Sequence, residues 1–261
     1  MRALKAHFLP DLTTPETLAG GVVVVIDVLR ASTVIVHALA AGAREVVPCL
    51  EIEDARRVAA GLPSGQVVLG GERGGLPIEG FDLGNSPEEY TPEKVADKTV
   101  VFTTTNGTRA MQRCRQAKRV LIGAFVNARA VIEALTGEEQ IHLLCAGTRG
   151  EITREDVLLA GLLAERIYAG LDEAQPAEIN DQLLMARQCF RASVMPGVAD
   201  DIEERLRREL RRTQGGRNLL ALGLDRDIDD AARVDRFSIV PELDLRRWTI
   251  AAGPSYTSCS A

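Results

Sequence analysis

"VVVVIDVLRAST", residues 22–33, is a run of five apolar, mostly β-branched residues that stops at Asp27 and continues into Arg30, Ser32 and Thr33. An uninterrupted β-branched run without polar alternation reads as a strand buried on both faces, the habit of strands in a parallel sheet covered by helices. An acid, a base and two hydroxyls at the end of such a strand stand where open α/β sheets bind their ligands, beyond the carboxyl ends of the strands. The plain alternative is a helix cap with Arg30 paired to a surface carboxylate.

The same grammar recurs along the chain. Strand-like runs at 22–26, 45–50, 66–71, 99–104, 119–125 and 141–147 alternate with helical apolar spacing at 33–41, 108–116 and 127–136. This predicts an α/β fold, layered α/β/α around a mixed, largely parallel sheet, with two lobes around a cleft as a variant. Residues 70–90, "GGERGGLPIEGFDLGNSPEEY", break the alternation and read as a long irregular loop of functional type. "DIEERLRRELRRTQGG", 201–216, reads as a charged, solvated helix stopped by glycine. Residues 1–245 are taken as the domain and 246–261 as a C-terminal tail.

Composition narrows the function. With 31 Lys and Arg against 37 Asp and Glu in 261 residues, the net charge of -6 disfavours nucleic acid as a partner. No apolar run approaches the roughly 18 residues of a membrane helix, so no membrane partner is expected. The five cysteines (Cys49, Cys114, Cys145, Cys189 and Cys259) form no C-x-x-C pair, and a reducing cytoplasm is the expected compartment. The three histidines are far apart in sequence. A homodimer is the expected assembly.

Two further loops match the first. "TTTNGT", 103–108, ends one strand and opens one helix, offering hydroxyls, an amide and a glycine that lets backbone approach a ligand; it reads equally as an Asn-Gly turn with a threonine cap. "CAGTRGEITRED", 145–156, sets Gly147, Thr148 and Arg149 after a strand and Glu155 and Asp156 in the next helix. Cys145 lacks the arginine six positions on that a cysteine phosphatase needs, and reads as a buried strand-end residue. Glu72, Arg73, Asp82, Asn85 and Ser86 complete the set. There is no G-x-x-x-x-G-K-[ST] loop, no G-x-G-x-x-G after a strand, and no D-x-D at the first strand. Carboxylates, arginines, amides and hydroxyls at one sheet edge suit a divalent cation and a phosphorylated ligand.

Taken in order, "VVVIDVLRAST", "GGERGG", "GFDLGNSPEEY", "TTTNGTRA", "GAFVNARAV", "CAGTRG" with "EDVLLAG", and "GGRNLLALGLDRDIDDAARVDRFSIVP" resemble the 2-phosphosulfolactate phosphatase family, over about residues 5–243. The resemblance implies a Mg2+-dependent phosphoric monoester hydrolase that converts (R)-2-phospho-3-sulfolactate to 3-sulfolactate and phosphate, a step of coenzyme M synthesis. Asp27, Arg30, Glu72, Asp82, Asn85, Ser86, Asn106 and Gly107 fall on its signature positions. The working assignment makes Asp27, Arg30 and Asp82 catalytic and gives Mg2+ to Asp27 and Glu72. Ser32, Arg73, Asn85, Ser86, Thr104, Thr105, Asn106, Gly107, Thr108, Asn127 and Gly147 are assigned to the small anionic substrate. The alternatives are a phosphatase for another phosphorylated 2-hydroxy acid and a non-catalytic module that binds a phosphorylated metabolite.

Overall fold

A computed structural model describes residues 3–170, 178–194 and 201–253; the expected end of the tail and Cys259 lie outside the described residues. Its strands are β1 (Ala3–His7), β2 (Val22–Ile26), β3 (Glu45–Cys49), β4 (Val67–Arg73), β5 (Leu76–Pro77), β6 (Thr99–Thr103), β7 (Arg119–Gly123), β8 (Gln140–Cys145), β9 (Glu178–Ile179), β10 (Pro241–Asp244) and β11 (Thr249–Ala252). Its helices are α1 (Ala31–Ala40), α2 (Ile52–Ala60), α3 (Pro92–Val95), α4 (Asn106–Arg113), α5 (Ala128–Ala134), α6 (Arg154–Ala169), α7 (Asp181–Val194), α8 (Ile202–Arg212), α9 (Gln214–Ala221) and α10 (Asp225–Ala231).

The strands form one mixed sheet in the order β5-β4-β6-β3-β11-β10-β7-β2-β8-β1-β9. It contains two parallel blocks, β4-β6-β3 and β7-β2-β8-β1-β9. Between them sits the antiparallel hairpin β10-β11, joined to β7 through Glu242 and Leu121 and to β3 through Ile250 and Val46.

Strand period explains the layers. Along β2, Val22, Val24 and Ile26 enter a core shared with α5, α6, α7 and α8, while Val23 and Val25 enter a second core shared with α1 and α4. Along β6, Val100 and Phe102 face that second core, and Val101 faces a third one under α2. Both strands are therefore buried on both faces, which is why neither shows polar alternation. Because β2 and β6 share the core around α1 and α4, the two blocks are held against a common filling.

Two expectations are corrected. The tail does not begin at 246, because Thr249–Ala252 is a strand in the middle of the sheet. The glycines at 215 and 216 do not stop the charged helix; Thr213 closes α8 and caps α9, its Oγ1 accepting from the Gly216 N–H at 3.1 Å. A Cβ on Gly216 would lie 1.9 Å from the Leu210 carbonyl oxygen, so the tight join between the helices requires glycine there. The helix does present a solvated face, with Glu204, Arg208 and Arg212 exposed, while Leu206 and Leu210 enter the core. Among the described residues no helix is long and apolar enough to cross a membrane.

Candidate active site

Segments that follow β2, β4, β6 and β8 line one pocket of about 420 Å³, with residues of α9 on the remaining side. The loops that sequence alone placed at one sheet edge do meet.

Asp27 is at its base. The Asp27 N–H donates to Ser32 Oγ at 2.9 Å and the Ser32 N–H donates to the Asp27 carbonyl at 2.9 Å, so the first turn of α1 folds back over the strand end. The Asp27 carboxylate receives the Ala31 N–H at 3.4 Å and also takes a hydrogen bond from the Gly107 backbone. Two helix N-termini, those of α1 and α4, thus point at one carboxylate. A Cβ on Gly107 would come within 3.1 Å of Asp27 Oδ2, which makes glycine the residue that allows this approach.

Those donors do not keep the acid ordinary. Burial, followed by the charges of Glu72 and Glu155, raises its pKa to about 7 against the pull of the backbone donors. Asp156 and Glu155 are also buried, and burial pushes both of them up. Asp156 joins two loops: Oδ1 accepts from the Val28 N–H at 2.9 Å, and Oδ2 accepts from the Gly147 N–H at 3.0 Å and from Thr153 Oγ1 at 3.3 Å. Glu155 lies against α9, where a Cβ on Gly215 would sit 2.2 Å from its Oε1. Its Oε2 has no partner among the described residues.

Arg30, also buried, donates to Asp227 Oδ2 at 2.6 Å and to the Gly75 carbonyl at 2.9 Å. Ser86 Oγ donates to the same Asp227 oxygen at 3.0 Å. Burial raises the Asp227 pKa and Arg30 offsets this only in part. Glu72 lines the pocket and accepts the Gly75 N–H at 2.6 Å.

The remaining assigned residues divide. Asn85, Thr104, Thr105 and Asn106 line the pocket, and Gly107 abuts Asp27. Asp82 does not reach it: this exposed residue accepts the Leu69 N–H at 2.8 Å and clasps β4. Arg73 turns onto the carbonyls of Leu50 and Glu72 and onto Thr105 Oγ1 at 3.3 Å, a support behind the wall. Asn127 is wholly buried, accepting the Ala124 N–H and donating to the carbonyls of Ile122 and Ile239, so it ties the loop after β7 to the chain leading into β10. Ser32, Ser86, Thr108 and Gly147 are likewise absent from the lining; the first two hold the frame and Gly147 takes a left-handed turn at φ 63°.

Sequence reading passed over Asp227, Gly215 and Asn218, and gave Glu155 and Asp156 no role. Asp227 is the counter-charge of Arg30, while Gly215 and Asn218 close the pocket from α9. The only signal for them was their place in the late "GGRNLLALGLDRDIDD" stretch. Cys145 is buried with its thiol pKa pushed well up, against any thiolate role. His7 and His142 meet, Nε2 to Nδ1 at 3.0 Å, outside the pocket lining.

Residues 7–245 match the family described as 2-phosphosulpholactate phosphatase. The chain belongs to that family. Among curated relatives it is 43% identical to the probable 2-phosphosulfolactate phosphatase of Symbiobacterium thermophilum, over 88% of this chain and 94% of the relative. It is 40% identical to the protein of the same description from Deinococcus radiodurans, over 92% of each chain. It is 38% identical to that of Clostridium beijerinckii, over 85% of this chain and 88% of the relative. The 2-phosphosulfolactate phosphatase family is one of phosphoric monoester hydrolases, so the chain is an enzyme for a small phosphorylated substrate.

Proposed function

We propose that the chain hydrolyses (R)-2-phospho-3-sulfolactate to 3-sulfolactate and phosphate with Mg2+ as cofactor, the reaction type of coenzyme M synthesis. The observation that carries the reading is geometric: the Asp27 carboxyl, buried and set against two helix N-termini, shares one pocket with Glu72 and Arg30.

Mg2+ takes oxygen ligands, keeps several waters and needs only one or two carboxylates beside the phosphate of its substrate. No cluster of three or more His, Cys, Asp or Glu among the described residues is arranged to hold a metal by side chains alone. Asp27 and Glu72 fit the smaller demand: both line the pocket, and the repulsion between them is what a cation relieves. When bound, Mg2+ supplies charge neutralisation for the phosphate oxygens.

The chain's own groups account for the rest. The Thr104, Thr105 and Asn106 side chains on the pocket wall offer neutral donors to the phosphoryl oxygens, and Arg30, held in place by Asp227, adds positive charge to the lining. The water oxygen forms a bond to phosphorus while the ester P–O bond breaks, its electron pair leaving on the C2 oxygen, which takes a proton from solvent to become the hydroxyl. Asp27 accepts the proton of the attacking water. Four free cysteines among the described residues support a reducing cytoplasm as the setting.

The test is phosphate release from the pure ester with Mg2+, then with a chelator. Release lost on chelation and regained with added Mg2+ supports the reading. Binding without release returns the chain to the metabolite-binding alternative, and faster release from another phosphorylated 2-hydroxy acid reassigns the substrate.

A further inference from the structure

Among the described residues four charged ones line the pocket: Asp27, Glu72, Arg30 and Arg149. Arg30 is already matched by Asp227. A divalent cation would be matched by Asp27 and Glu72. On the proposed reading, on which this inference rests, the substrate brings a phosphate flanked by two further acid groups, a carboxylate and a sulfonate. The remaining lining cation is Arg149, whose guanidinium has no hydrogen-bond or ion-pair partner among the described residues.

Its backbone setting is unusual for an arginine. Thr148 and Glu151 exchange both backbone hydrogen bonds at 3.0 Å, closing a two-residue turn whose central residues, Arg149 and Gly150, have φ of 55° and 79°. Positive φ at both positions is the type I′ pattern, which favours asparagine, aspartate and glycine and disfavours a long side chain. The Arg149 N–H donates to Asn106 Oδ1 at 3.2 Å, tying the turn to the loop after β6 on the same pocket wall. A strained, exposed and uncompensated arginine held at a ligand cavity is a feature that folding alone does not favour.

The geometry points to Arg149 as a specificity-determining residue, its guanidinium holding one of the acid groups that flank the phosphate-bearing carbon. Sulfonate and carboxylate share the planar-fork recognition that arginine offers, and truncated substrates separate them. One is 2-phospholactate, which lacks the sulfonate; the other is 2-phosphooxyethanesulfonate, which lacks the carboxylate.

The variant to use is Arg149→Gly, because glycine suits the turn and keeps the fold. Its melting temperature should equal or exceed that of the parent. On the full ester kcat/KM should fall about 30-fold, the scale of one lost charge-assisted contact, with most of the change in KM. On the truncated ester that lacks the group Arg149 holds, the loss should be about tenfold smaller. Arg149→Lys should recover part of the loss. Equal losses on all three esters, or no loss on the full one, overturn the assignment. If the parent hydrolyses none of the three, the proposed substrate itself fails and this inference falls with it.

Discussion

The loops after β2 and β6 are built on the same plan, a buried strand followed by a polar turn and a helix, yet they use their polar groups in opposite ways. After β2 the groups are turned inward. Ser32 and Thr33 bond strand-end backbone, and Arg30 is tied to Asp227 and Gly75. Val28 is held by Asp156. After β6 fewer groups have protein partners. Thr104 and Asn106 face the pocket, while Thr103 Oγ1 and Thr108 Oγ1 have none among the described residues. One loop is frame and the other is contact surface, so resemblance in sequence does not predict equal roles.

That contrast can be broken by mutation. Asp27, which belongs to the frame and faces the pocket, should give the largest effect. Asp27→Asn is expected to lower kcat by about a thousandfold, the scale of a lost general base, as measured by phosphate release. The same variant should melt higher than the parent at pH 8. Its folded pKa of about 7 lies above the ordinary carboxylate value, so its stabilising contribution is present below the unfolded pKa and lost as pH rises through about 7. For the same reason the metal-free parent should lose stability across that window. Added Mg2+ should raise the melting temperature more at pH 8 than at pH 5, and an equal rise at both would count against a carboxylate site.

Next comes the frame alone. Asp227→Asn leaves Arg30 buried without its counter-charge and should destabilise folding by about 3–5 kcal/mol in denaturant titration. On the contact loop, Thr104→Val should lower kcat/KM about tenfold, as loss of one donor to a charged group, with little change in the unfolding midpoint. A large midpoint shift there would erase the contrast between the loops. The smallest effect belongs to Asp82→Ala: away from the pocket, it should change kcat by less than about twofold and cost about 1 kcal/mol through the lost clasp on Leu69.

Six parallel strands were legible because burial leaves runs of apolar, mostly β-branched residues, as in Val22–Ile26 and Thr99–Thr103, whereas β1, "ALKAH", and the two-residue β9 carry no such run and were not read. The β10-β11 hairpin was not. "PELD" and "TIAA" are short and carry no such run, and their partners lie just over 200 residues back for β3 and about 120 for β7. At the site, Asp27, Glu72 and the 104–107 loop could be placed because each ends a readable strand or opens the helix after it. Asp82 looked equivalent to them on paper, but only chain geometry reveals that it faces β4 rather than the cavity. Asp227 was hidden for the converse reason: it acts through Arg30 across 197 positions, and local pattern carries no trace of such a pair.

The hairpin that joins the two parallel blocks is made late: among the described residues its strands are the most C-terminal. Until residues 241–252 emerge, β3 and β7 each present an open edge. A nascent chain arrested before that point would be an aggregation hazard, and a stop codon near residue 240 should yield insoluble protein although every pocket-lining side chain has already been synthesised.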